Sequence, residues 1–118
     1  MLTALSPVDG RYRNKTKALQ PYFSEFGLIH HRVIVEIEYF CALAESGLPE
    51  LSALTEKQIR AFRKVADSFD EDDAREVKDI EKDTNHDVKA VEYFLKEQLI
   101  RLELGDYKEF IHFGLTSK

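Results

Sequence analysis

Asn85, His86 and Asp87 stand side by side just ahead of an apolar stripe at helical spacing, and their types suit the recognition of an anion. Backbone donors at a helix mouth attract negative charge, and a histidine among them can orient or protonate an anionic ligand near neutral pH. Taking Thr84 as the N-cap puts Asp87 at the third helical position, so the same residues also read as a capping box with a carboxylate at the positive end of the dipole. Asn and Asp favour such positions with no function attached, and both readings stand at this level. Two other stretches offer complementary chemistry. Pro7, Asp9 and Gly10 are turn formers, and the turn they make projects Arg11 and Tyr12. A guanidinium can grip a phosphate with two parallel hydrogen bonds while a tyrosine stacks or donates one more, although an arginine after a turn is also an ordinary solvated residue. Towards the other end, Thr116 and Ser117 place adjacent hydroxyls beyond Gly114, a pattern that can hold a carboxylate or simply make a polar loop.

Such groups need a rigid mount. Val88, Val91, Leu95, Leu99 and Leu102 recur at helical spacing and give the segment behind His86 one buried face. From about residue 24 to 46, Phe26, Ile29, Val33, Ile37, Phe40 and Ala44 recur every three or four positions, and Gly47 with Pro49 supplies the stop. At 1.5 Å per residue this longest helix would reach roughly 35 Å. Leu28, Val35, Tyr39 and Leu43 thicken its apolar face and predict packing on two sides. Residues 14–19 read as a short helical turn that stops before Pro21, because proline disfavours helical geometry in its predecessor. A further helix is capped by Thr55, stapled by Leu54 and runs to about Phe69, with Ile59, Phe62 and Val65 or Ala66 inward. Gly105 closes the last helical pattern, and residues 107–113 read as a short apolar turn. The fold class is all-α, a small helical domain of about five helices spanning residues 1–118.

The acidic run from Asp70 to Asp83 invites a calcium reading that its spacing refuses. An EF-hand loop needs Gly at its sixth position; counted from Asp70, that position holds Arg75, with Ala74 at the fifth, although Glu81 does fall at the twelfth. A solvated helix with an acidic first turn is the plainer account, and no metal site is expected. His30 and His31 are adjacent on a helix and point about 100° apart, so they cannot share one metal and read as surface or packing residues. A lone cysteine, Cys41, cannot form an internal disulfide; in its apolar stretch it reads as a small core residue, and a reducing cytoplasm fits. A chain with 43% hydrophobic and 33% charged residues is long enough, at 118 residues, to bury about two-thirds of its unfolded surface as a single domain. No apolar run approaches the roughly 20 residues that cross a bilayer, and residues 1–12 lack the features of a signal peptide. The net charge of -5, with no offsetting Lys/Arg block, opposes nucleic-acid binding as the main role.

The residues quoted above also carry a family likeness. SPVDGRY at residues 6–12, NHDVKAVEYFLKE at 85–97 and EFIHFGLTS at 109–117 resemble, in the same order, the amino-terminal part of adenylosuccinate lyases in their longer bacterial form, within the fumarase and aspartase superfamily. The resemblance implies a lyase that releases fumarate from adenylosuccinate and from succinylaminoimidazole carboxamide ribotide, works as a homotetramer, and needs no cofactor. It implies substrate-binding roles for Arg11 and Tyr12 at the phosphate end, for Asn85, His86 and Asp87, and for Thr116 and Ser117 at a succinyl carboxylate. It gives His86 a supporting catalytic role, since the principal acid and the catalytic serine lie in later segments of such enzymes. Where the family continues with Gln or Glu and then Asp into a central helical bundle, this sequence has Lys118, so the expectation is a fragment ending where the bundle would begin, inactive by itself. Two alternatives remain: another fumarate-releasing member of the superfamily, separable by a substrate panel, and a non-enzymatic helical interaction module.

Overall fold

A computed structural model describes residues 1–116. The chain runs through α1 (Arg13–Thr16), α2 (Gln20–Phe23), α3 (Glu25–Glu45), α4 (Glu56–Asp67), α5 (Glu71–Thr84) and α6 (Asp87–Arg101), with 3-10 turns at Lys17–Leu19, Pro49–Leu51 and Gly105–Phe110. No strand occurs among the described residues, in keeping with the all-α expectation. The longest element is the one with the longest apolar repeat, α3, at 21 residues. Its Ile29, Val33, Ile37 and Phe40 are buried together with Phe62 of α4, Val77 of α5, and Val91, Phe94, Leu95 and Leu99 of α6. Each such side chain contributes roughly 1.5 to 3 kcal/mol when fully buried. Edge-to-face ring pairs, Phe40 of α3 with Phe62 of α4 at 5.1 Å and Phe69 of the α4–α5 connection with Phe94 of α6 at 5.7 Å, add to that packing.

The starts of the helices follow from their caps. Ser24 accepts from the Gly27 N–H at 3.0 Å, Thr55 and Gln58 form a capping box, and Asp70 and Asp73 form a second. Leu54 and Ile59, the expected staple, both pack against the core. The acidic run is a helix, as its composition suggested, and its Arg75 pairs with Glu71 and Asp72. His30 packs on the Phe69 ring at 5.3 Å, with its Nε2 2.9 Å from the Ala66 carbonyl, and His31 Nδ1 lies 2.7 Å from the Gly27 carbonyl. Cys41 is fully buried.

Three expectations need correction. The chain does not leave helical geometry before Pro21: the proline sits in the first turn of α2, where its missing N–H costs nothing, and the corner comes at Ser24 with ψ 171°. The apolar face of α3 is narrower than expected: the helix packs against α2, α4, α5 and α6 and Leu43 joins the core, but Leu28 and Val35 remain 45% and 62% exposed. Gly105 is not the stop of the last helix. α6 ends after Arg101 in a Schellman arrangement, with Glu103 left-handed at φ 62°, Glu103 N–H donating to Ile100 O at 3.0 Å, and Leu104 N–H to Leu99 O at 2.8 Å.

Candidate functional site

The polar cluster lies at a joint between two helices. α5 carries on through Thr84, and Asn85 turns the chain in the left-handed region, φ 52° and ψ 34°, which asparagine tolerates better than most residues. Thr84 is therefore not the N-cap of α6, and the capping box with Asp87 does not form. Instead the Thr84 hydroxyl accepts from His86 N–H at 3.2 Å and donates to His86 O at 3.0 Å, folding the joint on itself. The N-cap is His86. Its Nδ1 accepts from the Lys89 N–H at 3.2 Å, an acceptor role that leaves the neutral ring's proton on Nε2. Asp87 opens the helix, accepts from Val88 N–H at 2.8 Å and pairs with Arg32 at 3.0 Å. The Val88 N–H chiefly, then the Arg32 guanidinium and His86, hold its carboxyl below the usual value against the opposing effect of burial.

Arg32 belongs to a polar row on α3. Glu36, one turn on, is 2.7 Å from His112 Nδ1, and the Tyr39 hydroxyl donates to the Phe113 carbonyl at 2.6 Å. Positions 32, 36 and 39 follow the i, i+4, i+7 spacing of one helix face, so a single face of α3 holds both the mouth of α6 and the turn leading to Thr116. Between α3 and α6 runs an open groove of about 240 Å³, lined by Leu28, Arg32, Val35 and Glu36 on one side and Val88 and Val91 on the other. Sequence reasoning missed Arg32, Glu36, Tyr39 and His112. The signal available was the recurrence of polar groups at one-turn spacing inside an apolar helix.

The other proposed residues are placed less closely. Arg11 and Tyr12 are exposed, with the guanidinium 4.8 Å over the tyrosine ring, and no hydrogen bond or ion pair joins them to Asn85, Asp87 or Thr116 among the described residues. Thr116 is exposed, and Ser117 lies outside the described residues. Among the described residues no group of three or more His, Cys, Asp or Glu side chains is placed to hold a metal ion, and no helix is long and apolar enough to cross a membrane.

No family model matches the chain. Curated proteins do: it is 49% identical to the adenylosuccinate lyase of Legionella pneumophila (strain Corby) over 119 residues, which is 99% of this chain. The likeness is to the adenylosuccinate lyases. Those of Escherichia coli (strain K12) and Dictyostelium discoideum are 49% and 50% identical, again over 99% of the chain. The chain spans only 26% of the length of these relatives, and the part it matches is the amino-terminal domain of the lyases. The match runs through Arg11, the joint at Asn85 to Asp87 and the turn before Thr116, so the stretches singled out for chemistry all lie within the likeness to the lyases.

Proposed function

We propose that residues 1–118 form the substrate-gripping amino-terminal domain of a lyase of purine nucleotide synthesis. That enzyme releases fumarate from adenylosuccinate, giving AMP, and from succinylaminoimidazole carboxamide ribotide, giving aminoimidazole carboxamide ribotide. The reading is carried by 49% identity to an adenylosuccinate lyase over 99% of the chain. The reaction takes a proton beta to the nitrogen and protonates that nitrogen as the carbon–nitrogen bond breaks. Both substrates carry a phosphate and two carboxylates, which fixed donors must hold while negative charge builds on a carbanion-like intermediate. Arg11 and Tyr12 take the phosphate end, and Thr116 with Ser117 takes a carboxylate of the succinyl arm. Asn85, His86 and Asp87 complete this domain's share. His86 orients substrate and stabilises charge. Its Nδ1 is engaged with the Lys89 N–H, so the ring cannot take a proton there without giving up its cap. The principal acid and base come from beyond these residues, and no metal or organic cofactor is required for a polar elimination. The assembly is a cytoplasmic homotetramer whose sites draw on several subunits.

The test is a chimera in which residues 1–118 replace the matching segment of the Escherichia coli enzyme. The expected result is fumarate release from both substrates, lowered by His86→Ala roughly 100-fold or more, the usual cost of removing one preorganised donor, with no turnover by the isolated 118-residue chain. A chimera that melts cooperatively yet turns over neither substrate would overturn the proposal.

A further inference from the structure

The pairing of Glu36 with His112 is unusual among the polar contacts of this domain. Of the ion pairs among the described residues it is the most enclosed, with side chains 9% and 12% exposed, and it joins residues 76 positions apart. The carboxylate can only accept, so the proton on His112 Nδ1 is the one donated. The two outer atoms, Glu36 Oε2 and His112 Nε2, are buried with no hydrogen-bond partner among the described residues. Replacing such a pair with apolar side chains of similar volume commonly leaves a protein as stable or more so, which makes stability a weak reason for it. Its location is more informative. His112 sits at φ 60° and Gly114 at φ 76°, two left-handed residues in a short turn that ends with Leu115 N–H donating to His112 O at 3.1 Å. One helical turn beyond Glu36, Tyr39 takes the Phe113 carbonyl in the same turn.

We propose that Glu36 and Tyr39 are positioning residues: through His112 and the Phe113 carbonyl they lock residues 111–115 onto α3 and so set where Thr116 presents its hydroxyl to the anionic substrate. This rests on the lyase reading above. The left-handed backbone at His112 is one that a non-glycine residue adopts only when its surroundings hold it there, and the Glu36 carboxylate supplies the hold. Arg32, on the same face of α3, fixes Asp87, so one rigid helix sets the separation of two substrate contacts.

Two measurements test it. In the 118-residue chain, Glu36→Leu should speed amide exchange at Leu115 at least tenfold while Val33, in the core of α3, stays unchanged; Tyr39→Phe, a milder change that keeps the fold, should give a smaller increase at the same amide. In the active chimera, His112→Ala should raise KM tenfold or more. His112→Asn, which tolerates the left-handed backbone and keeps an N–H for Glu36, should recover most of that loss. Unchanged Leu115 exchange in both α3 variants would overturn the latch. So would an Asn variant as impaired as the Ala variant, or KM changes that merely follow the thermal midpoint. A folded but inactive parent chimera would overturn the lyase reading and the substrate role of the turn with it, leaving the exchange measurement to decide whether the latch itself exists.

Discussion

Gly27→Ala should destabilise the domain although it replaces the second-worst helix former with the best. On propensity alone the change within α3 gains about 1 kcal/mol. A Cβ at position 27, however, would lie 2.6 Å from the Pro21 carbonyl oxygen and 2.9 Å from its carbon. Both are backbone atoms of α2, so no side chain can swing aside and the corner at Ser24 must open. Overpacking of this kind costs about 1 to 3 kcal/mol. Opening the corner also stretches the 3.0 Å bond from Gly27 N–H to the Ser24 cap, an interaction worth about 1 kcal/mol. The costs exceed the gain, and a net loss of about 1 to 3 kcal/mol is expected, readable as a lower urea midpoint at unchanged m-value. Gly47→Ala is the control: its φ is 88° but nothing lies within 4 Å of the added carbon, so its loss comes from backbone strain alone. A Gly27→Ala protein as stable as the parent would refute the close packing of α2 on α3.

The Arg32–Asp87 pair, with side chains 28% and 50% exposed, should show a coupling of about 0.5 to 1 kcal/mol in a double-mutant cycle at low salt, shrinking at 1 M salt. Because the Val88 N–H and then Arg32 depress the Asp87 pKa, its contribution is complete above the ordinary carboxylate value of about 3.9 and is lost as pH falls through the depressed one; a coupling that grew on acidification would contradict this. Glu103→Gly should raise stability by up to about 1 kcal/mol, since glycine takes the left-handed φ of 62° at the end of α6 without strain, and a lower melting temperature would count against the Schellman assignment. Burial pushes the Cys41 thiol up to about 11, so the native protein should resist iodoacetamide at pH 8. The fold holds that proton more tightly than the unfolded chain does, so this contribution is complete below about pH 8.5 and fades as pH rises towards 11, a decline that Cys41→Ala should remove.

What could be read from sequence, and what could not, divides by the range of the interactions. The periodicity from Phe26 to Phe40 and the Thr55 cap are local, and α3 and α4 lie within about two residues of the expected spans. The start of α6 failed because two local options competed. Thr84 is a good N-cap residue, but Asn85 is also a good left-handed terminator for the helix before it, and extending α5 to Thr84 lets Asn85 N–H donate to Glu81 O at 2.7 Å. Leu102 was expected to close the buried stripe of α6, yet it is 37% exposed, while Ala90 and Phe94 are buried in its place. Val91, Leu95 and Leu99 are buried as that stripe requires, but α6 ends at Arg101 and Leu102 is its C-cap residue, so the turn that follows buries Leu104 instead. The pairing of Glu36 with His112 was out of reach for a different reason: one-turn spacing can mark Glu36 as part of a polar row on α3, but neither residue type nor spacing tells that it meets a histidine 76 positions away.

The presence of Asp87 in a cluster proposed to receive anions is a difficulty that the geometry answers. A bare carboxylate beside His86 would repel a phosphate or a succinyl carboxylate and take up the attraction that the positive end of the helix offers an anion. In the fold, one Asp87 oxygen accepts the Val88 N–H and the other meets the Arg32 guanidinium, so its charge is balanced from within the domain. Arg32 is only 28% exposed at its side chain, which leaves it little freedom to serve a ligand by itself. The two together make a nearly neutral edge beside the groove, which Arg32 lines. Against that edge, His86 has Nδ1 engaged with the Lys89 amide, and the neutral ring keeps its proton on Nε2 as a donor. The sign of the site is then set by which charges are already paired. On this reasoning Arg32→Met should weaken substrate binding in the chimera even though Arg32 need never touch the substrate, because it would leave the Asp87 charge unbalanced. Asp87→Asn, placed on top of Arg32→Met, should restore part of that binding. If the double variant binds no better than Arg32→Met alone, charge pairing is not what admits an anion to this cluster.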